Sequence, residues 1–300
     1  MNDYKHSASL TDLEAFGITH YINRYPHIKP FLEKELSDPF SANAHLRAAR
    51  IIGDHGNLYT VSTGKENRTL PPAGRLRMFE DSTFRDAPTR PVAGDWVLLS
   101  VTAEPQLIRA LLPRYSTLSR NQAGRETNAQ VIATNIDTVF IVSGLDHNFN
   151  LRRIERYITV AYASGSSPVV VLNKLDLCDD LSTKLSAVEE IALDIPIICC
   201  SAQENIGIDE FSHFVSAGKT AVLVGSSGVG KSSLLNLLLG RDLQKVESVR
   251  SVDGKGRHTT SSKELFSVPG GGILIDTPGT RELGLWAEDK SIGSSFLDIE

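Results

Sequence analysis

The stretch GSSGVGKSS at residues 225–233 matches the pattern G-x-x-x-x-G-K-[ST] of a phosphate-binding loop. An apolar run precedes it and a leucine-rich segment follows, so a strand is expected before it and a helix after it. The glycines allow successive backbone N–H groups to point at phosphate oxygens, and the helix dipole adds favourable charge. The predicted phosphate-binding residues are Gly225, Ser226, Ser227, Gly228, Val229, Gly230, Lys231, Ser232 and Ser233. Lys231 is expected to reach the outer phosphates, and the Ser232 hydroxyl to bind Mg²⁺.

A second polar motif, NKLD at residues 173–176, follows the apolar run VVVL. The Asp176 carboxylate can accept hydrogen bonds from the ring N–H and the exocyclic amino group of guanine, a pair that adenine does not offer. Asn173 is expected to tie loops together, and the stem of Lys174 to lie over the base. One strand later, the backbone of Ser201-Ala202 is expected to read the guanine carbonyl. These segments predict binding of GTP and GDP, and Asp176 argues against an ATP-using enzyme.

The sequence DTPG at residues 276–279 follows a third apolar run, GGILI, and fits the D-x-x-G element of nucleotide switches. Asp276 is expected to hold Mg²⁺ through a water molecule. The backbone N–H of Gly279 is expected to sense the terminal phosphate. The position after this element, where many GTPases carry a Gln that positions water, holds Thr280.

Between the phosphate loop and Asp276 lies SVDGKGRHTTSSKELF, whose Gly, Ser and Thr content is typical of a switch loop. A hydroxyl of Thr259 or Thr260 is expected to complete the Mg²⁺ coordination, and Thr260 is slightly favoured. His258 is the best candidate in the chain for positioning the attacking water, although it could equally only shape the loop or touch RNA. The predicted catalytic residues are therefore Lys231, His258 and Thr260.

These motifs occur in an unusual order, because the phosphate loop comes first in most guanine-nucleotide switches. Here the NKLD motif precedes it. Loops at the ends of parallel strands need to be adjacent in space, but their order along the chain is free. If the chain of an ordinary GTPase is opened after the strand that carries Asp276 and its original N- and C-termini are joined, the motifs follow one another in the order found here. The sequence therefore predicts a circularly permuted GTPase.

The elements that must position these motifs are predicted from the pattern of apolar residues. Alternating apolar runs and helical segments at residues 115–285 predict a mostly parallel α/β sheet covered on both faces. Four or five short runs separated by turns at residues 46–114 predict a small barrel, with an OB-type favoured over an SH3-like one. Residues 1–45 are expected to be an extension with two short helices. Residues 286–300 are expected to begin a C-terminal module that is truncated here.

Composition is that of an ordinary globular protein, with 41% apolar and 22% charged residues. The net charge of −5 argues against indiscriminate nucleic-acid binding, but it allows a local basic face. The first residues lack an apolar export segment, and no run approaches membrane-spanning length. A cytoplasmic location away from membranes is therefore predicted. The pair Asp146-His147 is expected to lie in a loop without a metal role.

With these motifs in place, the sequence resembles the small ribosomal subunit biogenesis GTPases, the RsgA family. The likeness covers roughly residues 46–300. It rests on the permuted motif order, on GRHTT and DTPGTRELGLW, and on a barrel segment with PVAGDWVLL and LLPRYSTLSR. NIDTVFIVSGLDHNFNLRRIERY is also similar to the family's entry into its GTPase domain.

This resemblance implies a monomeric cytoplasmic GTPase that acts late in maturation of the small ribosomal subunit. It also implies binding of ribosomal RNA, partly through an OB-fold, and turnover that is stimulated by the subunit. The implied cofactors are GTP or GDP with Mg²⁺. Family members usually continue into a C-terminal zinc module with three Cys and one His. The chain ends at Glu300, just before the expected position of that module, so no zinc ligand is assigned.

RNA binding has modest support from the sequence, because the segment from Arg47 to Glu126 contains twelve Lys and Arg against eight Asp and Glu. The arginines expected to contact phosphates are Arg109, Arg114, Arg120 and Arg125. The sequence has features of two other functions. A permuted GTPase of large-subunit assembly is disfavoured by the barrel and by GRHTT. A nucleotide-sensing RNA-binding assembly factor with little intrinsic catalysis is left open by Thr280.

Overall fold

The computed structural model of the chain describes residues 10–36, 45–80, 83–86, 90–100, 105–121, 129–240 and 263–276. In these residues a helical N-terminal extension is followed by a β-barrel region and then by a mostly parallel α/β sheet. None of the helices in these ranges has the length and apolar character needed to cross a membrane.

The barrel region is formed by seven strands in the described part of residues 46–114. They are β1 (Leu46–Asp54), β2 (Tyr59–Ser62), β3 (Asn67–Leu70), β4 (Pro72–Glu80), β5 (Thr83–Asp86), β6 (Trp96–Ser100) and β7 (Ile108–Leu111). β1 pairs with β2 and β6, and β7 joins β6 to β4. The sequence predicts only four or five strands because β3 and much of β4 are exposed and therefore lack a clear apolar pattern.

The N-terminal extension packs on the outside of the barrel. It contains a 3₁₀ helix (Leu10–Phe16), the helix α1 (Ile18–Arg24) and a π-helical turn (Phe31–Glu35). β6 is buried along its whole length because its two faces meet different cores. Val97 faces the barrel interior, whereas Trp96 packs against the extension, with its ring centroid 5.4 Å from that of Tyr21. The extension thus forms a second hydrophobic core with the outer face of the barrel region.

The α/β part begins with an antiparallel hairpin and continues as a parallel sheet. Its strands are β8 (Thr117–Asn121), β9 (Ala129–Thr134), β10 (Thr138–Gly144), β11 (Ser167–Asn173), β12 (Ile197–Cys199), β13 (Thr220–Val224), β14 (Lys263–Ser267) and β15 (Ile273–Asp276). The sheet order is β12-β11-β10-β13-β15-β14, and only β14 is antiparallel to its neighbour. This order places β13 at the centre of the α/β part of the sheet.

Helices cover both faces of the parallel sheet, as the sequence predicts. They are α2 (Leu151–Ala163), α3 (Leu181–Ile191) and α4 (Lys231–Leu238), with a 3₁₀ turn at Asp209–His213. α2 and α3 pack on one face, and α4 packs on the other with the 3₁₀ turn. β10 and β13 are buried at every position, which explains their continuous apolar sequences.

The barrel and the parallel sheet share one continuous ladder of strands. β1 pairs with β14 in antiparallel register, with Gly53 opposite Glu264 and Asp54 opposite Lys263. The division between residues 114 and 115 that the sequence suggests stays a prediction. Across that division, however, backbone hydrogen bonds join the two parts.

Four residues, three of them buried and one partly buried, form a cluster between the extension, the barrel and the parallel sheet. This junction cluster consists of Arg50, Tyr115, Asp137 and Thr220. The Arg50 side chain is 1% exposed and donates hydrogen bonds to the Phe16 carbonyl (2.6 Å) and the Thr220 hydroxyl (2.8 Å). Because Arg50 lies on β1 of the barrel and donates to groups of the other two parts, it holds the three parts in one arrangement.

Asp137 is the acidic member of the junction cluster. Its Oδ1 lies 2.7 Å from His20 Nε2 and accepts from Arg24 (2.9 Å), and both of these residues belong to α1. Its Oδ2 accepts from the Tyr115 hydroxyl (3.1 Å) and the Thr220 N–H (2.8 Å). Burial opposes ionisation of Asp137, but the hydrogen bonds from His20 and Thr220 outweigh it and lower its pKa. Asp137 is therefore ionised at neutral pH and anchors α1 to the sheet.

Candidate nucleotide-binding site

The strand register brings the predicted motifs to one edge of the parallel sheet. Gly144 lies opposite Asn173, and Ile141 lies opposite Val224, the last residue of β13. β15 runs parallel to β13 on its other side and ends at Asp276. The loops that follow these strands therefore meet in space, although they are far apart along the chain.

The phosphate-loop segment at residues 225–233 runs from the end of β13 into the first turn of α4, with positive φ angles at Gly225 (150°), Gly228 (77°) and Gly230 (99°). The Lys231 ammonium donates to the carbonyl oxygens of Gly225 (2.8 Å) and Ser226 (2.7 Å), so it lies across the loop. The exposed residues of the loop and the first turn of α4 are Ser227, Gly228, Ser232 and Ser233. This strand–loop–helix geometry presents backbone N–H groups and a helix N-terminus to one ligand position.

Asn173 joins the two predicted binding loops. Its side chain is almost completely buried at the end of β11. The amide nitrogen donates to the Val229 carbonyl (2.8 Å), and the amide oxygen accepts from the Ala202 N–H (3.0 Å). A single side chain therefore fixes the distance between the phosphate loop and the loop at Ser201-Ala202.

The remaining NKLD residues present polar groups at the same edge. Lys174 has a positive φ of 66°, and the Leu175 N–H donates to the Cys200 carbonyl (3.0 Å). Asp176 is exposed, and its Oδ1 accepts a hydrogen bond from the buried Ser201 hydroxyl. The Ser201 hydroxyl thus holds one oxygen of the Asp176 carboxylate. The other oxygen, Oδ2, is the one that a guanine base placed beside it would contact.

Gly230 has a conformation and a location that no other residue type can adopt without strain. Its φ is 99°, and a Cβ atom there would lie 2.2 Å from the Asn173 amide nitrogen. We expect Gly230→Ala to destabilise the fold by about 2 kcal/mol, because positive φ strain adds to displacement of Asn173. Urea unfolding of the purified chain measures this loss.

Gly228→Ala is the matched control for stability. Gly228 also has positive φ (77°), but the nearest side-chain atom to an added Cβ is 3.8 Å away, at Asn148 Nδ2. Gly228→Ala introduces the same backbone strain but no collision of the new Cβ atom with a neighbouring side chain. Its free energy of unfolding should therefore fall by only about 1 kcal/mol. Equal losses for the two variants would show that the contact with Asn173 does not restrict Gly230.

The donors present suit Mg²⁺. Ser232 lies exposed in the first turn of α4, and Asp276 ends β15, which pairs with the strand that leads into the phosphate loop. Hydroxyl and carboxylate oxygens are the donors Mg²⁺ prefers, and it usually keeps several waters, so few protein ligands suffice. Among the described residues no group of three or more His, Cys, Asp or Glu side chains forms a metal cluster.

The remaining predicted site residues lie outside the described part of the chain. These are His258, Thr259, Thr260, Gly279 and Thr280. Their proposed roles in metal binding, phosphate sensing and catalysis stay predictions. The same holds for residues 286–300 and for Arg125.

One of the predicted RNA contacts is corrected by the structure. The Arg114 side chain is only 10% exposed and donates to both carboxylate oxygens of Asp95, at 2.7 and 2.6 Å. Because Asp95 is fully buried, this pair is part of the barrel core and is not available for phosphates. Arg109, in contrast, is exposed on β7.

Two residues at this edge have contacts that the sequence does not predict. Asp146 follows β10 and pairs with Lys174, and Arg153 in the first turn of α2 contacts Ser226. The sequence contains a feature that points to each of these contacts. Asp146 follows a buried parallel strand, where ligand loops lie. Arg153 places a positive charge near a helix N-terminus, against the helix dipole, so another interaction must favour it.

Comparison with known proteins agrees with this geometry. A family model described as RsgA GTPase matches residues 111–286. The chain is 45% identical over 251 residues to the small ribosomal subunit biogenesis GTPase RsgA 2 of Lactiplantibacillus plantarum, covering 83% of this chain and 69% of that protein.

Solved structures show the same fold. YjeQ from Thermotoga maritima matches with a TM-score of 0.55 and 24% identity, over 79% of this chain and 76% of that one. YloQ, described as a circularly permuted GTPase, matches with a TM-score of 0.50 and 19% identity, over 80% and 73%. The predicted fold class, a circularly permuted GTPase sheet preceded by an OB-type barrel, is thereby confirmed. On the family match and the identity to its curated relative, this chain belongs to the RsgA GTPase family.

Proposed function

We propose that this chain hydrolyses GTP in the late maturation of the small ribosomal subunit. Its family is one of GTPases, and the L. plantarum relative is named for small-subunit biogenesis. The observation that carries the proposal is the pair of hydrogen bonds that Asn173 makes, donating to the Val229 carbonyl and accepting from the Ala202 N–H. They join a phosphate loop to a guanine-reading loop, and an enzyme that only binds phosphates does not need such a connection.

In the proposed complex each loop has its own part of the nucleotide. The phosphates lie in the loop 225–233, where Lys231 leaves the carbonyl oxygens of Gly225 and Ser226 for phosphate oxygens. Asp176 accepts from guanine, and the Ala202 loop reads the guanine carbonyl. The chain then discriminates against ATP because a carboxylate without a donor partner is costly.

Mg²⁺ would be held by Ser232 and Asp276, with Thr260 as the proposed third oxygen donor, and would neutralise charge on the phosphate oxygens. His258 is proposed to position the attacking water, and the Gly279 N–H to sense the terminal phosphate. The residues of this chain thus bind and orient both reactants. A subunit-dependent rearrangement would complete the arrangement needed for turnover.

The proposed partner is the small ribosomal subunit with its ribosomal RNA, bound in part by the barrel. Exposed Arg109 on β7 is one group able to contact phosphates. We propose that the chain works as a monomer in the cytoplasm. Residues 46–114 would act as the RNA-binding part and residues 115–285 as the GTPase part.

The test is the turnover of GTP and ATP by the full chain, alone and with isolated small or large ribosomal subunits. We expect slow GTP turnover alone and an increase of at least ~10-fold with small subunits only, since completion of a GTPase site by a partner has large effects. Turnover of ATP at the same rate would contradict guanine specificity. Slow GTP turnover unaffected by either subunit would favour the nucleotide-sensing alternative.

A further inference from the structure

The loop between β10 and α2 lies between the two binding loops. This β10–α2 loop consists of residues 145–150. Its first residue, Leu145, donates its N–H to the Asn173 carbonyl (2.8 Å). A Cβ atom on Gly228 would lie 3.8 Å from Asn148 Nδ2, so the other end of the loop approaches the phosphate loop. The β10–α2 loop is thus in contact with the guanine-reading side and close to the phosphate side.

Asp146 connects the β10–α2 loop to the NKLD motif. Its Oδ2 accepts from Lys174 Nζ at 2.7 Å, and its Oδ1 accepts from the Asn148 N–H at 3.0 Å. The Asp146 side chain is 9% exposed and that of Lys174 is 24% exposed, so water screens this pair only partly. Gly144 leaves the necessary space, because a Cβ atom there would lie 2.6 Å from Asp146 Oδ1.

The charge state of Asp146 supports a lasting contact with Lys174. Burial opposes ionisation of its carboxyl group, but the hydrogen bonds from Lys174 and Asn148 outweigh this effect and lower its pKa. A carboxylate that is ionised at neutral pH therefore holds the end of the Lys174 side chain. Since the stem of Lys174 would lie over the base, Asp146 sets the direction of that stem.

Arg153 connects the β10–α2 loop to the phosphate loop. Its Nη1 donates to the Ser226 hydroxyl at 3.0 Å and to the Asn148 carbonyl at 3.4 Å. The backbone N–H of Arg153 donates to Oδ1 of Asn150, the residue that caps α2, at 2.9 Å. Asn148 is therefore shared, with its N–H bonded to Asp146 and its carbonyl to Arg153. The contacts form an unbroken series from Lys174 to Ser226.

We infer that Asp146 and Arg153 are positioning residues for the guanine nucleotide, and that the β10–α2 loop is a second connection between the binding loops besides Asn173. This inference rests on the proposed function. Asp146 acts through Lys174 on the base, and Arg153 acts through Ser226 on the phosphate loop. Neither residue needs to touch the nucleotide.

The test for Asp146 is the dissociation constant of fluorescently labelled GDP for Asp146→Asn in the full chain. Loss of a charged hydrogen-bond acceptor should weaken binding about tenfold. In a Lys174→Ala background the same change should have less than about a twofold effect, because the group through which it acts is gone. Asp179→Asn is the control, since Asp179 is an exposed carboxylate in the loop that follows NKLD.

The test for Arg153 uses the same measurement. Arg153→Ala should weaken GDP binding about fivefold, and the effect should disappear when Ser226→Ala removes the acceptor hydroxyl. Arg153→Lys, which keeps a donor, should restore part of the affinity. Arg152→Ala is the matched control, since Arg152 is the exposed neighbour in the same turn of α2.

The outcomes separate this inference from the proposed function. Wild-type chain that binds GDP, with variants that bind equally well, would overturn the positioning roles and leave the GTPase function intact. Weaker binding that persists unchanged in the Lys174→Ala and Ser226→Ala backgrounds would show a general structural effect and also overturn them. Wild-type chain that fails to bind GDP would refute the proposed function itself.

Discussion

Asp176→Asn is expected to convert a chain that prefers GTP into one that prefers xanthosine triphosphate. The Ser201 hydroxyl donates to Asp176 Oδ1, and the amide oxygen of an Asn can accept that same bond. The amide nitrogen then replaces Oδ2 and can only donate. Guanine offers it an amino group, which is also a donor, whereas xanthine offers a carbonyl oxygen. The preference between the two nucleotides should change by about 10³-fold, because a mismatch sets two donors against each other and leaves both unpaired.

Competition binding with GTP, xanthosine triphosphate and ATP measures this change. Asp179→Asn serves as the control, because it makes the same chemical change at an exposed position nearby. If Asp176→Asn kept the wild-type preference for GTP, Asp176 would not read the base. Circular dichroism of the variant shows whether it is folded. A variant that is unfolded and binds no nucleotide is thereby distinguished from a folded one with altered specificity.

Asp137→Ala is expected to lower the free energy of unfolding by about 3 kcal/mol, because it leaves the buried Thr220 N–H without an acceptor and removes the ion pair with Arg24. The Tyr115 hydroxyl keeps the Asn135 carbonyl as its acceptor (2.8 Å), but α1 loses the anchor for His20 and Arg24. Urea unfolding measures the loss. Glu189→Ala, at an exposed position on α3, is the control and should change stability little. A loss no larger than that of the control would contradict the role of Asp137.

The pH dependence of this effect has a definite sign. The pKa of Asp137 is lowered in the folded chain, so its ionised form stabilises the fold above the unfolded pKa of about 4. That stabilisation is lost as the pH falls through the lower, folded pKa. The difference in stability between wild type and Asp137→Asn should therefore be constant near neutral pH and shrink below about pH 4. An unchanged difference at low pH would exclude this linkage.

The parallel sheet and its motif loops are predictable because their signals are local. β10, β11 and β13 each contain an uninterrupted apolar run (VFIV, VVVL and AVLV), and polar motifs follow these runs. A strand of this kind must be covered on both faces, and its carboxyl end must carry the ligand loop. The tie through Asn173 follows from the same reasoning, since the residue stands at the end of a strand beside the phosphate loop.

The contacts of the N-terminal extension are not predictable in this way. His20 and Arg24 bind Asp137 across 117 and 113 residues of chain. No period or spacing indicates such a pair, and polar residues on a short helix ordinarily face water. Arg50 is similar, because an arginine in a strand is usually exposed, whereas this one is buried among carbonyl groups. These positions depend on long-range packing.

The pairing of β1 with β14 also bears on whether the barrel and the parallel sheet could exist as separate proteins. Without β1, β14 would be an edge strand of the parallel sheet, with unpaired N–H and C=O groups at Lys263 and Glu264. Exposed edges of this kind join other chains and lead to aggregation. The barrel therefore shields the sheet as well as contributing its own surface. We therefore expect the two parts to be retained together in evolution, because a gene that encodes the sheet alone would yield a protein prone to self-association.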